Sequence, residues 1–290
     1  MKKVIDANFF QDPRLENYLK SDKSNAVVFI DCAGMEAHKG NTFKNLFKSL
    51  EIVSKFPEQA FVLKGTRDIA KLTLASDGFK KLVDVPQTRA FRSFCSSIQH
   101  GIQDKMSLIV PLFQQGQLAS AHFDRLKKDA AIVANSIEEL TKSFKKEDLK
   151  VIRKKERLTT EVKDKVIYGI LRLTDLLFQD HPDIQKRPQP EQIRNSYIFR
   201  FAVSAYLLDF HWISDGGPGK VKLDKLRNDC VDMNYVAYAT FFDGILTRDS
   251  KMKEIYRETC FFLKNAFQTK LGISSGSCVL PNMVLGGKRG

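Results

Sequence analysis

Short apolar runs near the two ends of the chain, with long amphipathic stretches between them, set the first division of this 290-residue sequence. Val4-Ile5 is a short strand that stops at Asp6. Asp12-Pro13 then opens a helix. Asp12 suits the N-cap and Pro13 the first helical position, and Leu15, Tyr18 and Leu19 share one face. The run from Asn25 to Asp31 is continuous, apolar and rich in β-branched residues, the pattern of a strand buried on both faces. A helix starting near Ala33, with Glu36 in its first turn, follows it. Thr42–Ser54 is predicted as helix on the spacing of Phe43, Leu46, Phe47 and Leu50, and Gln59–Lys64 as a third strand. Strand, helix and strand within about thirty residues is a βαβ unit and predicts a parallel sheet.

From about Arg67 to Leu208 long amphipathic segments dominate. Thr88–Gln103, Leu118–Phe144, Thr160–Gln179 and Gln192–Phe210 read as helices, punctuated by Pro86, Pro111, Pro182, Pro188 and Pro190. Asp215-Gly216-Gly217-Pro218-Gly219-Lys220 then turns the chain back toward the sheet. It lacks the Gly-x-x-x-x-Gly-Lys-Ser/Thr spacing of a phosphate-binding loop. Asp229 and Asp232 stand where the next helix is expected to begin, and Ala237 and Ala239 give it a small-residue face. Gly244-Ile245-Leu246 is a short strand ending in Thr247 and Asp249. Ser250–Gln268 is a closing helix, and Ser277–Leu280 a last strand candidate. The expected fold class is α/β: an open parallel sheet flanked by helices, built from residues 1–66 and 221–290, with a large, mainly helical insertion at 67–220.

Composition sharpens this picture in three ways. Hydrophobic residues make up 43% of the chain, enough for a real core. The five cysteines, Cys32, Cys95, Cys230, Cys260 and Cys278, are scattered and contain no Cys-x-x-Cys. A disulfide framework or structural zinc site is therefore not expected, and a reducing cytoplasm fits. No apolar run reaches the length of a membrane span, and Asp6 interrupts any signal-like start, so no membrane partner is expected. The net charge of +13 favours a polyanionic partner, nucleic acid being the commonest. The densest basic run, 142–165, is interleaved with Glu147, Asp148, Glu156, Glu161 and Asp164. That mixture reads as a solvated helix face with i,i+4 pairs more than as a phosphate track.

Chemistry enters with the acids at element ends. Asp6 closes the first strand, Glu36 opens the helix after the second, Asp232 opens a later helix and Asp249 follows the last apolar run. A parallel sheet gathers such positions at one edge. Carboxylates that close repel one another unless a cation neutralises them, and hard oxygen ligands suit Mg²⁺ or Mn²⁺. A metal so held lowers the pKa of a bound water and stabilises charge building on a phosphate.

These pieces resemble the PIN-domain nucleases, the VapC-like and PIN-like superfamily, in kind and order. Val4-Ile5-Asp6-Ala7-Asn8 resembles the first-strand signature. The stretch from Ile30 to Gly40 is similar to the second strand and its helix, with Glu36 as the second acid. Asp232-Met233-Asn234-Tyr235-Val236-Ala237-Tyr238-Ala239 resembles the segment carrying the third acid, and Leu246-Thr247-Arg248-Asp249 that carrying the fourth. The resemblance covers roughly residues 1–64 and 228–285. The long helical segment departs from it, since the typical small toxins are about half this length.

The resemblance implies an Mg²⁺- or Mn²⁺-dependent endoribonuclease, a toxin or defence effector, with RNA as partner. Asp6, Glu36, Asp232 and Asp249 would be catalytic and metal-holding. Asp229 is a further metal ligand or the main third acid in place of Asp232. Asn8 and Thr247 would orient ligands, and Arg194, Asn195 and Arg200 are lower-grade substrate contacts. A PIN-like scaffold that binds RNA or protein without catalysis is the alternative, and a phosphatase on an α/β sheet a third, weakened because Asp31 has no Asp-x-Asp partner. A homo-oligomer and a regulatory protein partner both stay open.

Overall fold

A computed structural model describes residues 1–33, 48–72, 78–99, 137–184, 186–217 and 223–270. Four parallel strands form the sheet: β1 (Lys2–Ile5), β2 (Ala26–Phe29), β3 (Ala60–Val62) and β4 (Ile245–Leu246), in spatial order β3-β2-β1-β4. All four residues of β2 are buried, as its unbroken apolar sequence requires of a strand covered on both faces. Val4 lies opposite both Val28 of β2 and Ile245 of β4, which makes β1 a central strand. The α/β class and the parallel sheet flanked by helices are thus as the hydrophobic pattern predicts.

The helix α1 (Pro13–Ser21) joins β1 to β2, with the Asp12 side chain accepting from Arg14 N at its start. After β3 come α2 (Thr66–Ala70), α3 (Gly78–Leu82), α4 (Val85–Gln99), α5 (Lys146–Arg153), α6 (Thr160–Asp180), α7 (Pro190–Ile193), α8 (Tyr197–Ser214) and α9 (Leu223–Ala239). Beyond β4 the chain ends its described part in α10 (Ser250–Lys270). The most buried of these is α8, which packs against α6, α9 and α10. Gly169 lets α6 approach it: a Cβ there would run into the Tyr206 ring. One buried hydrophobic cluster runs from Val27 and Val28 through Phe199 and Leu207 to Val236 and Ile255.

Two element boundaries differ from expectation. The stretch Gln192–Phe210 is not one helix. Ser196 stops α7 and caps α8, its hydroxyl accepting from Phe199 N at 3.2 Å, because a serine hydroxyl satisfies a helix-start N–H better than it serves a helix interior. The helix carrying Asp229 and Asp232 begins at Leu223, so both acids lie within α9 and not at its start. Leu226, Cys230, Met233 and Ala237 already recur at helical spacing, and that apolar stripe carries the helix back one to two turns. The expected helix at 33–40, the first part of the one at 42–54, most of the one at 118–144 and the strand at 277–280 lie outside the described residues. The basic run behaves as its mixed signs suggest: Lys145 pairs with Glu161, and Lys165 with Asp148 and Glu161.

Candidate metal centre

Strand order places the centre. The chain moves outward from β1 to β2 to β3, then returns to the other side of β1 with β4. That reversal makes the carboxyl ends of β1 and β4 a topological switch point, where open α/β sheets form their ligand crevice. Asp6 follows β1 and Thr247 follows β4, and the ladder holds them side by side, with Asp6 N donating to Leu246 O at 3.0 Å.

Side chains continue the pairing. Thr247 Oγ1 donates to Asp6 Oδ2 at 2.6 Å and accepts from Asp249 N at 3.0 Å. Asn8 Nδ2 donates to Thr247 Oγ1 at 3.2 Å while Asn8 Oδ1 accepts from Arg248 N at 2.8 Å. Asn8 and Thr247 therefore hold the Asp6 carboxylate and the Asp249 backbone in fixed relation. Asp249 itself caps α10, its Oδ1 accepting from Met252 N at 2.9 Å.

Beside this pair, α9 presents Asp229, Asp232 and Met233, spaced i, i+3 and i+4 and so on one face. They line a narrow cleft together with Leu208, Asp249, Lys251, Met252 and Ile255. Its volume is about 10 Å³, the room of about one water-sized body. Asp229, Asp232 and Asp249 thus meet in one place, and Asp6 stands next to it.

The charges are unevenly answered. Burial raises the Asp6 carboxyl above its ordinary pKa. The Thr247 hydroxyl and the Asn8 backbone N–H oppose the rise, and the Asp249 charge adds to it. Asp229 has its own donors: Trp212 Nε1 at 3.2 Å and Lys251 Nζ at 2.9 Å, both to Oδ2. Burial lifts the neighbouring Cys230 thiol to about 12, with Asp209, Asp229 and Asp232 adding negative charge and Lys251 opposing them. On α8, burial pushes Asp209 up to about 8. Carboxylates are the donor type that suits Mg²⁺ or Mn²⁺, but among the described residues no three of Asp6, Asp229, Asp232 and Asp249 form a group with ligand atoms within 4.8 Å of one another.

Other expected residues stand elsewhere. Glu36 lies outside the described residues. Arg200 stacks on Phe241, its guanidinium carbon 3.8 Å from the ring centroid, and donates to Thr240 O at 2.5 Å. Its Nε donates to Arg194 O at 3.2 Å, which places Arg194 and its neighbour Asn195 at the same end. Thr240 follows α9 just before β4, at the amino ends of the strands. It lies about 12 Å along the helix axis from Asp232, at ~1.5 Å per residue. The three substrate-contact candidates are therefore not brought to the acids. Burial lowers the Arg200 pKa to about 10, as expected of a guanidinium packed into the fold.

Lys251, which lines the cleft, and Trp212, which donates to Asp229 from behind it, are residues that the sequence does not single out. Lys251 was accessible to sequence reading, since a residue two positions after Asp249 on a helix start stays close. Trp212 was not, because only the packing of α8 on α9 brings it there.

Among the described residues, the group whose metal-ligand atoms do lie within 4.8 Å of one another is His211, Glu254 and Glu258, across α8 and α10. His211 Nε2 lies 2.8 Å from Glu258 Oε2, and that hydrogen bond accounts for the pairing of these two.

Comparison with known proteins gives no relative: no family model, no curated protein and no solved structure matches the chain.

Proposed function

We propose that the chain is a metal-dependent nuclease of PIN-like architecture, cleaving RNA phosphodiester bonds, with residues 67–220 as a helical insertion on the nuclease sheet. The observation that carries this reading is the convergence of Asp229, Asp232 and Asp249 in one cleft at the switch point, with Asp6 alongside. Asp6, Asp232 and Asp249, with Glu36 as the resemblance implies, would hold an Mg²⁺ or Mn²⁺ ion. The ion would supply Lewis acidity, generating the attacking hydroxide and stabilising charge on the phosphate. The chain's own residues do the rest. Thr247 aims Asp6 by hydrogen bonding to its carboxylate, which offsets part of the cost of burial. Asn8 fixes Thr247 and the Arg248 backbone, and the cap bond from Met252 N fixes Asp249. The net charge of +13 supports a polyanionic substrate, and the resemblance supports RNA and a role as toxin or defence effector in the cytoplasm. No described helix is long and apolar enough to cross a membrane.

Purified protein incubated with total RNA and Mn²⁺ or Mg²⁺ should cut it, and chelation should stop the reaction. Asp249→Asn and Asp6→Asn should not cut. A folded Asp249→Asn variant that cleaves as well as the parent overturns the assignment.

A further inference from the structure

Helices α8 and α10 pack directly on one another, and one polar group is built into their contact. His211 of α8 is buried, at 5% exposure, and its Nε2 lies 2.8 Å from Oε2 of the partly buried Glu258 of α10. Glu254 stands one helical turn before Glu258, at i,i+4 spacing and so on the same face. One ligand atom from each of the three lies within 4.8 Å of the other two. The hydrogen bond joins His211 to Glu258 and leaves Glu254 out. Two carboxylates at i,i+4 on a helix repel one another, the more so where protein displaces water. Elsewhere in the molecule a basic side chain answers such acids: Asp148 is paired with Lys165, and Asp229 with Lys251. Among the described residues, neither Glu254 nor Glu258 has a lysine or arginine partner. What faces them is an imidazole, whose Nε2 can carry a proton or, in its place, a metal ion.

We propose that His211, Glu254 and Glu258 bind a divalent transition-metal ion, Zn²⁺ foremost, which ties α10 to α8. An imidazole nitrogen with two carboxylates suits Zn²⁺ and its first-row neighbours, whereas Mg²⁺ and Ca²⁺ take oxygen ligands. Three protein ligands leave the fourth tetrahedral position to water. The ion takes the place of the proton shared by His211 and Glu258. Ligand atoms at ~2.0–2.1 Å around a tetrahedral ion lie about 3.4 Å apart, so Glu258 Oε2 moves out by roughly 0.6 Å from its 2.8 Å distance to His211 Nε2. A glutamate side chain has the torsional freedom for that shift. Both glutamates are partly exposed, which gives the ion its access, and the buried histidine closes the site on the core side. This inference does not rest on the nuclease reading, since its three residues are separate from the acids proposed there.

The test is Co²⁺ binding to the full chain in excess Mg²⁺, which occupies sites made of oxygen ligands alone. Co²⁺ stands in for Zn²⁺ spectroscopically: its visible bands report tetrahedral geometry, and a near-ultraviolet charge-transfer band reports thiolate ligands. The parent chain should bind one Co²⁺ with tetrahedral bands and no thiolate band, and Zn²⁺ should displace it. Glu254→Gln and Glu258→Gln should each weaken binding at least as much as loss of an outer-shell partner does, roughly tenfold or more. The bound ion should raise the melting temperature of the parent and not that of the variants. If circular dichroism shows Glu254→Gln unfolded, Glu258→Gln, which keeps a hydrogen-bond partner for His211, is read in its place. A parent chain that binds no Co²⁺, a thiolate band, or undiminished binding in a folded variant overturns the site.

Discussion

Asp6 and Asp12 lie six residues apart, both are almost fully buried, and both begin a helical turn, yet their electrostatics are opposite. Asp12 is held well below the usual carboxylate range, first by the Arg14 guanidinium and then by that of Arg248. Asp6 is pushed above it by burial and by Asp249, with a hydroxyl and a backbone N–H as its opposing partners. The contrast separates two uses of a buried acid. A structural carboxylate arrives with its cation attached. Asp6 is buried with neutral donors in place of a cation, as its proposed role of holding a metal requires.

The widest expected gap between the two is in activity. Asp6→Asn should reduce RNA cleavage by at least roughly 100-fold, the consequence of losing about 3 kcal/mol of charge stabilisation. Asp12→Asn should leave most of it, as a gel-based cleavage assay would read. Stability should reverse the order. Asp12→Ala removes the cap of α1 and both arginine contacts, and should cost about 1–2 kcal/mol in urea unfolding. Asp6→Asn should leave stability unchanged or raise it in metal-free buffer.

A pH series sharpens the same contrast. The raised Asp6 carboxyl gives stability that is present below the unfolded value, about 3.9, and lost as pH rises through its folded value. Asp6→Asn should therefore gain on the parent from acid toward neutral pH. The depressed Asp12 carboxyl acts oppositely, its stabilisation present above about 3.9 and lost as pH falls through its folded value. The deficit of Asp12→Asn should be full at pH 7 and shrink on acidification, as thermal melts at stepped pH would record. The smallest effect concerns Asp249, which caps α10 and is proposed as a ligand. Asp249→Asn retains a capping side chain and should melt near the parent, whereas Asp249→Ala should lose about 1 kcal/mol more. Equal melting of the two variants would show that Asp249 is not a working cap.

How much of this was legible follows from where the information resides. The strands and the cap at Asp12 were readable because each depends on neighbours a few residues away, as in the apolar run at Val27–Ile30 and the Asp12-Pro13 pair. The start of α9 was misread because acids before an alanine-rich face look like a helix opening. The stripe through Leu226 and Cys230, which extends the helix, is weaker. Asp6 and Asp249 could be singled out from their places at element ends, whereas Asp232 was placed at a helix start that the structure puts earlier, at Leu223. The donors to Asp229 could not be, because they come from Trp212 on α8 and Lys251 on α10. Arg200 drew attention as a basic residue near the site in sequence order, but packing sends it to the opposite end of the strands.

Because β1 is completed on one side by β4, the two halves of the cleft are separated by nearly the whole described chain: Thr247 bonds Asp6 across 241 positions. On a ribosome making ~5–20 residues per second, about 10–50 s pass between the appearance of Asp6 and that of its partner. Over that interval Val4 and Asp6 present backbone N–H groups whose acceptors, Gly244 O and Leu246 O, have not yet been made. A chain cut short anywhere before Thr247 would carry β1 with an open edge and no assembled acid cluster. Synthesis as far as Thr247 thus acts as a timer on the joining of Asp6 to its partner.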